Sequence, residues 1–346
     1  MFGRSAKPIR VQVFGKTDVG RSREHNEDRF LVADLTRKDA SLQPQVRQHD
    51  LGERGSLFVV ADGMGGAAAG ELASQMATDT IFAHLMKAWN AESEATPQRF
   101  AHRLKEAVEV ANANIHAHAK AHPEVRGMGT TTTAAGVLGD HLYLTQVGDS
   151  RAYLVRGGEA HQLTKDQSLM QRLVEAGELT EEEAAHSERR NIILQALGPD
   201  PKVKVDLTHQ DVRRGDVLVL CSDGLSGQVK KEEIAQIVTQ ASDLASACDK
   251  LIALANERGG PDNITVVMAR FDGDGLRSSG AQEEVGHHVY PLIDTETSTE
   301  PVPIYKGSRT PVPNREARDA RGRLFTIVLG ALAVLAAVLW YFTRSP

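Results

Sequence analysis

The chain has 346 residues, 41% of them hydrophobic and 25% charged, enough to bury a sizeable core in one large domain or two small ones. A formal charge of −6, with no basic stripe interleaved with aromatics, excludes an electrostatic nucleic-acid footprint. The two cysteines, Cys221 in an apolar run and Cys248 in a helical pattern, exclude a disulfide framework and read as small core residues of a reducing compartment.

Met1 to Arg10 lacks the apolar stretch of a signal peptide, so nothing is expected to carry the N-terminus across a membrane. Ile9 to Lys16 alternates as a strand and enters a loop, Asp18 to Asp28, that carries Arg21, Arg23, Asn26 and Glu27. Arg29 to Ala33 resumes an extended run, and the polar stretch Asp34 to Gly55 reads as a loop between hairpin strands. The rest of the chain is organised around Phe58-Val59-Val60-Ala61-Asp62-Gly63-Met64-Gly65-Gly66. This apolar run is too short for a helix and rich in β-formers, and it delivers one carboxylate to a glycine-rich loop. On its own it reads equally as a strand-turn-helix junction with Asp62 as an N-cap.

Ala67 to Ala88 takes up helical spacing, with Ala69, Leu72, Ala73, Met76, Ala77 and Ile81 as its stripe. Phe100, Leu104, Ala107, Val108, Ala111 and Ile115 make a second stripe, and the pair implies a helical layer over a sheet. His118 and His122 stand four apart near the end of that helix. No carboxylate or cysteine accompanies them, and Pro123 ends the helix where histidines suit the dipole, so they read as surface residues rather than ligands. Gly129 to Leu138, His141 to Val147 and Ala152 to Val155 are predicted strands, with Gly139-Asp140 as a hairpin turn. Thr130 to Thr133 fit a strand by propensity, Thr130 alone being a loop candidate.

Leu163 to Gly198 reads as a helical insertion. Asp166 is expected to cap a helix from Ser168 to Ala176, Gly177 to stop it, and Thr180 with Glu183 to form a capping box for a short second one. Val203 to His209 and Asp216 to Cys221 are predicted strands, Glu232 to Val238 and Leu244 to Asn256 helices, and Ile264 to Phe271 a last strand. From Asp272 to about Ala320 the composition shifts to Gly, Ser, Thr, Glu and Pro, the mark of a tether. Leu324 to Phe342 is 19 residues without a charge, apolar on every face, and ends in Trp340, Tyr341 and Phe342. At ~1.5 Å per residue it spans about 28 Å, as a single membrane anchor would. Arg315, Arg318, Arg321 and Arg323 precede it and Arg344 alone follows, which orients its N-terminal side to the cytoplasm.

The strand-then-aspartate pattern recurs. Val147-Gly148-Asp149-Ser150, Leu218 to Gly224 with Asp223, and Gly259-Gly260-Pro261-Asp262-Asn263 each place an Asp at the edge of a strand-like run, and the loop ending in Asp28 adds a fifth site. Carboxylates that converged would repel one another and raise one another's pKa unless cations sat between them. With no His or Cys among them, the ions implied are hard and oxygen-liking, Mg²⁺ or Mn²⁺ rather than zinc. The plainer account of Asp149 is a turn residue paired with Arg151.

Six ordered motifs carry a resemblance: Arg23-x-x-Asn26-Glu27-Asp28, Ala61-Asp62-Gly63-Met64-Gly65-Gly66, Gly129-Thr130-Thr131, Gly148-Asp149-Ser150-Arg151, Ser222-Asp223-Gly224 and Asp262-Asn263. Together they make the stretch from about Val11 to Phe271 resemble the metal-dependent protein phosphatases of the type 2C (PPM) family, serine/threonine phosphatases with a binuclear Mg/Mn centre. The element order suits the family's α+β fold, two stacked antiparallel β-sheets flanked by helix pairs in an α-β-β-α sandwich. A C-terminal transmembrane helix would be added to it. The implied division is a catalytic domain over 1–271, a Pro/Ser/Thr-rich linker with a basic end over 272–323, a transmembrane helix over 324–342 and a short extracytoplasmic tail over 343–346.

The resemblance places Asp62 as the carboxylate bridging two ions, with the Gly63 carbonyl as a further ligand, and Asp223 and Asp262 completing one ion's shell. Asp28, with Glu27 beside it, would hold the second mainly through water, and Arg23 rather than Arg21 would grip the phosphate. In bacterial members, positions matching Asp149 and Asp223 also hold a third, weaker ion. Met64 departs from the eukaryotic pattern, which has a histidine there to protonate the leaving group, and Gln195-Ala196-Leu197-Gly198 matches the family only loosely. The expected activity is hydrolysis of phosphoserine and phosphothreonine in proteins, serine/threonine kinases among them, at the cytoplasmic face of the inner membrane. The alternative, a catalytically silent phosphoprotein-binding module, is disfavoured because Asp62, Asp223 and Asp262 are all present.

Overall fold

A computed structural model describes residues 7–39, 47–278, 280 and 284–292. The expected membrane anchor and most of the linker before it lie outside these residues. No helix among the described residues is long and apolar enough to cross a membrane.

The strands are β1 (Arg10–Asp18), β2 (Asp28–Asp34), β3 (Arg47–Asp50), β4 (Ser56–Met64), β5 (Gly129–Thr130), β6 (Thr132–Leu138), β7 (His141–Val147), β8 (Arg151–Arg156), β9 (Glu159–Gln162), β10 (Asp206–Asp211), β11 (Val217–Cys221) and β12 (Ile264–Asp272). They pair antiparallel in two sheets, ordered β3-β1-β12-β11-β8-β9 and β10-β7-β6-β4-β2, with the short β5 on β4. Helices α1 (Ala67–His84) and α2 (Pro97–Ala121) cover the second sheet. On the first sheet lie α6 (Lys231–Gln240) and α7 (Leu244–Glu257). Between β9 and β10 come the short α3 (Leu169–Glu175) and α4 (Glu181–Ala185), and α5 (Asp223–Ser226) follows β11.

Because both faces of each sheet are covered, the central strands alternate between two apolar layers rather than between core and water. On β4, Leu57, Val59 and Ala61 pack under the helices while Phe58 and Val60 face the other sheet. On β11, Val217, Val219 and Cys221 face α6 and α7 while Leu218 and Leu220 point between the sheets. The same division on β12 sends Val266 and Met268 outward and Val267, Ala269 and Phe271 inward.

The predicted strands and long helices are present, with differences that have local causes. The strand expected from Gly129 to Leu138 breaks at Thr131, where the backbone N–H turns to the Asp62 carbonyl at 2.8 Å. Asp166 does not cap α3. Ser168 does, accepting from the Gln171 N–H, because Asp166 is taken up by Arg151. Gly177, at φ +72°, terminates that helical stretch, and the Thr180–Glu183 capping box forms as expected. Within the polar stretch read as loop, β3 pairs with β1. The short β9 hairpin partner of β8 and the one-turn α5 have no periodicity long enough to show in sequence.

The described chain also runs on in contact beyond Phe271, where a tether was expected to begin. Residues 284–292 lie along β10: the His209 N–H donates to the His288 carbonyl and the Tyr290 N–H to the Leu207 carbonyl, both at 2.9 Å. Tyr290 stands edge-on to Tyr143 and His209, so one aromatic side chain anchors the segment.

Candidate metal centre

One end of the sandwich collects the aspartates, and antiparallel pairing is the reason. β1, β4, β7 and β11 finish there, while β2, β8 and β12 begin there, so Asp28, Asp149, Asp223 and Asp262 share that end with the last residues of β4. Asp28 and Asp62 stand directly opposite each other in the β2–β4 register. Like charges facing across a strand pair are unfavourable, and here the register that seats Phe30 opposite Val60 also sets the two aspartates face to face.

The site continues the inner face of the sandwich by one pleat step. Phe30, Val60, Leu220, Val267, Ala152, Ala135 and Leu144 belong to or pack on the layer between the sheets. Two residues along the same strands, on the same face, come Asp28, Asp62, Ser222, Thr265, Ser150, Thr133 and Gln146. Apolar core thus gives way to a buried polar layer. Its members satisfy one another: the Thr133 hydroxyl has Gln146 Oε1 at 2.6 Å and the Ser150 carbonyl at 2.9 Å as acceptors for its one proton, and the Thr17 and Thr265 hydroxyls meet at 2.7 Å.

Asp62 is held by its backbone. The Thr130 hydroxyl donates to its carbonyl at 2.9 Å, and its N–H donates to Thr131 Oγ1 at 3.1 Å. Thr131 Oγ1 in turn meets Ser150 Oγ at 2.8 Å. Thr131 and Thr133 therefore do more than supply strand propensity, the only role the sequence reading gave them. Gly63 is needed for packing: a Cβ there would collide with the carbonyl oxygens of Gly70 and Glu27, and one on Gly70 would collide with the Glu27 carboxylate. Glu27 is thereby wedged against the start of α1, its carbonyl accepting from Ser74 Oγ at 2.6 Å.

Asn263 ties the Asp18–Asp28 loop down. Its side-chain amide donates to the carbonyls of Val19 and His25, each at 2.9 Å, and its oxygen accepts from the Glu27 N–H at 2.8 Å. In sequence Asn263 stands only as half of the Asp262-Asn263 motif, and its place just before an apolar strand start is the signal that could single it out. Arg23 reaches the site and Arg21 does not pair there: Arg23 Nη2 donates to Asp262 Oδ2 at 2.8 Å. Arg151 pairs with Asp166 through two parallel bonds of 2.9 and 2.7 Å, and not with Asp149. The plainer account of Asp149, as that arginine's partner, is corrected, because Asp166 already fills the guanidinium fork.

Electrostatics set the cluster apart from the polar layer behind it. Asp28 is 3% exposed and Asp149 6%, and burial pushes each carboxyl up to about 7, with the Asp223 charge adding to both and the Thr265 and Ser222 hydroxyls easing the first. Burial raises Asp62 well above the usual carboxylate range, helped by the charges of Asp28, Asp223 and Asp149. Asp223 is raised by burial and by Asp262, a hydrogen bond from Asp62 opposing the rise. Burial also raises Glu27, against the pull of Arg23.

Asp28 Oδ1, Asp149 Oδ1 and Asp223 Oδ1 are buried with no hydrogen-bond partner, three of the five such side-chain atoms among the described residues. Unpaired buried carboxylate oxygens are costly, and their grouping at one end of the fold fits a cation-binding role. The donors are all oxygens, which fits Mg²⁺ or Mn²⁺. Among the described residues no three acidic, imidazole or thiol side chains are drawn closely enough together to hold an ion as they stand. One of the cluster's carboxylates, Asp262, is paired with the Arg23 guanidinium.

A protein phosphatase 2C family model matches residues 32–263. The serine/threonine phosphatase Stp of Listeria monocytogenes is 37% identical over 258 residues, covering 74% of this chain and 94% of that protein. The structure of the Streptococcus agalactiae serine/threonine phosphatase superposes with a TM-score of 0.66 at 35% identity, covering 75% of this chain and 99% of the other. The catalytic domain of the phosphatase PstP, in complex with two manganese ions, gives 0.60 at 36% identity, with 76% and 99% covered. With its fold, its end-of-sandwich carboxylates and these likenesses together, the chain belongs to the protein phosphatase 2C family.

Proposed function

We infer that this chain is a metal-dependent phosphatase that hydrolyses phosphoserine and phosphothreonine in proteins. Relatives named as serine/threonine phosphatases support the activity. The observation that carries the mechanism is the face-to-face pair Asp28 and Asp62, with orphaned carboxylate oxygens on Asp28 and Asp223 beside it.

Asp62, the Gly63 carbonyl, Asp223 and Asp262 would hold one Mg²⁺ or Mn²⁺, and Asp62 with Asp28, and Glu27 nearby, a second. Asp149 with Asp223 would hold a third, for which the orphaned Asp149 oxygen is the support. Such ions, when bound, acidify a water towards neutrality and offset charge on the phosphoryl oxygens. The chain's own residues do the rest. Arg23 presents a half-exposed guanidinium with donors to spare beyond its bond to Asp262, suited to gripping two phosphoryl oxygens and fixing the ester for attack. Thr130 and Thr131 keep the Asp62 backbone from shifting, and Asn263 keeps the Arg23 loop folded onto the site. Met64 has no proton to give, so it does not protonate the leaving alkoxide.

An uncharged stretch over 324–342 with arginines on its N-terminal side supports a single-pass anchor that leaves the catalytic domain at the cytoplasmic face, where serine/threonine kinases would be both antagonists and substrates. Asp62→Asn and Asp223→Asn should each abolish Mn²⁺-dependent hydrolysis of a phosphothreonine peptide while circular dichroism stays unchanged. Undiminished turnover in either variant, or in excess chelator, would remove the metal mechanism.

A further inference from the structure

Ser222 sits at the N-cap position of α5, where serine ordinarily turns its hydroxyl back on the helix, yet its side chain makes no capping bond. The hydroxyl is fully buried and committed elsewhere. It accepts from the Thr265 N–H at 3.0 Å and donates to Asp28 Oδ2 at 2.7 Å. A hydroxyl has one proton, and the Asp28 oxygen at 2.7 Å takes it in preference to the Asn263 carbonyl at 3.4 Å.

This bond crosses the sandwich. Ser222 follows β11 in one sheet and Asp28 opens β2 in the other. It also divides the two carboxylate oxygens of Asp28: Oδ2 is occupied by Ser222, and Oδ1 is left buried without a partner. The next residue in the chain is Asp223, whose own Oδ1 is likewise unpartnered. One dipeptide therefore contributes a carboxylate directly and, together with the Thr265 hydroxyl, holds a second carboxylate from the opposite sheet.

Resting on the reading of this site as a metal centre, we propose that Ser222 is a positioning residue for the ion assigned to Asp28. By holding Oδ2 it presents Oδ1 as the ligand oxygen. The partners of metal ligands commonly set affinity by about 10- to 100-fold when removed. The Ser222 effect should be confined to one ion, because Asp62, Asp223 and Asp262 do not depend on its hydroxyl.

The test is Mn²⁺ binding to the full chain, by calorimetric titration with free Mn²⁺ counted by electron paramagnetic resonance. Ser222→Ala should weaken one ion by about 10- to 100-fold and leave the other within roughly twofold, and Ser222→Thr should restore the weakened one. If the alanine variant does not fold, Ser222→Cys keeps the shape with a much weaker donor and should show the same selective loss. Two ions bound with wild-type affinity in the folded variants, or both weakened alike, would overturn the role of Ser222 while leaving the metal centre standing. A wild-type chain that takes up no Mn²⁺ would overturn both.

Discussion

Removing metal from this protein should reverse the way its stability depends on pH, and the neutral variant Asp28→Asn isolates the cause. In the folded chain Asp28 titrates near 7, pushed up first by burial, against an ordinary value of 3.8. Between those values the folded state binds more protons than the unfolded one, so without metal the stability is fully present below about pH 4 and is lost as pH rises through 7. At ~1.4 kcal/mol per pH unit, that rise sets a ceiling of about 4 kcal/mol on the loss. Asp149, Asp62 and Asp223 shift in the same direction and titrate with it as a cluster. In chelator, urea unfolding of Asp28→Asn should give a higher midpoint than wild type at pH 8, and the difference should shrink towards zero by pH 4. Saturating Mn²⁺ should invert the order at pH 8, since ions compete with protons for the same oxygens and stabilise only the form that binds them. An asparagine variant no more stable than wild type at pH 8 in chelator would show that no buried charge is being tolerated there.

Arg23→Ala should raise KM for a phosphothreonine peptide by roughly 10- to 100-fold, the loss of a charge-assisted bond, with a smaller change in kcat. Steady-state kinetics decide this, and an unchanged KM would reassign the grip to Arg21. Gly63→Ala should destabilise the chain by about 3 kcal/mol in denaturant unfolding, because the added methyl meets two backbone carbonyl oxygens that cannot move aside; an unaltered midpoint would mean the α1 junction can open freely. Thr131→Val removes the acceptor for the Asp62 N–H and the partner of the Ser150 hydroxyl, and should cost about 1–3 kcal/mol of stability, measured the same way, together with a fall in Mn²⁺ affinity.

What the sequence made legible followed from how each feature is encoded. Strands such as His141–Val147 and helices such as Leu244–Glu257 are bounded by changes of composition, and they appear close to where they were expected. Asp28, Asp62, Asp149, Asp223 and Asp262 were legible as candidates because each follows or precedes an apolar run. Their gathering at one end was not, since spacing carries no information on which strands become neighbours. The supporting residues were harder still. Ser222, Thr131 and Asn263 make bonds to positions tens or hundreds of residues away, and locally each looks like a turn or strand residue. Asp166 shows the same limit from the other side: local logic makes it a helix cap, and a partly buried arginine 15 residues earlier takes it instead.

The alternation that packs the core also decides where the chemistry sits. A one-residue slip of β4 would carry Phe58 and Val60 from the inter-sheet layer to the helix side, so the apolar pattern fixes the register strongly. Asp62 lies two residues beyond Val60 and inherits that fixed face, as Asp28 inherits it from Phe30 and Ser222 from Leu220. The carboxylates are thus aimed by hydrophobic residues they never touch. Because the apolar layer ends where they begin, the price of crowding their charges falls on the end of the sandwich and not on its middle. That arrangement accounts for two features at once: the unfavourable Asp28–Asp62 facing pair survives in an otherwise well-satisfied fold, and the orphaned oxygens cluster there. A chain selected for stability alone would have continued Phe30, Val60 and Leu220 with a further apolar layer.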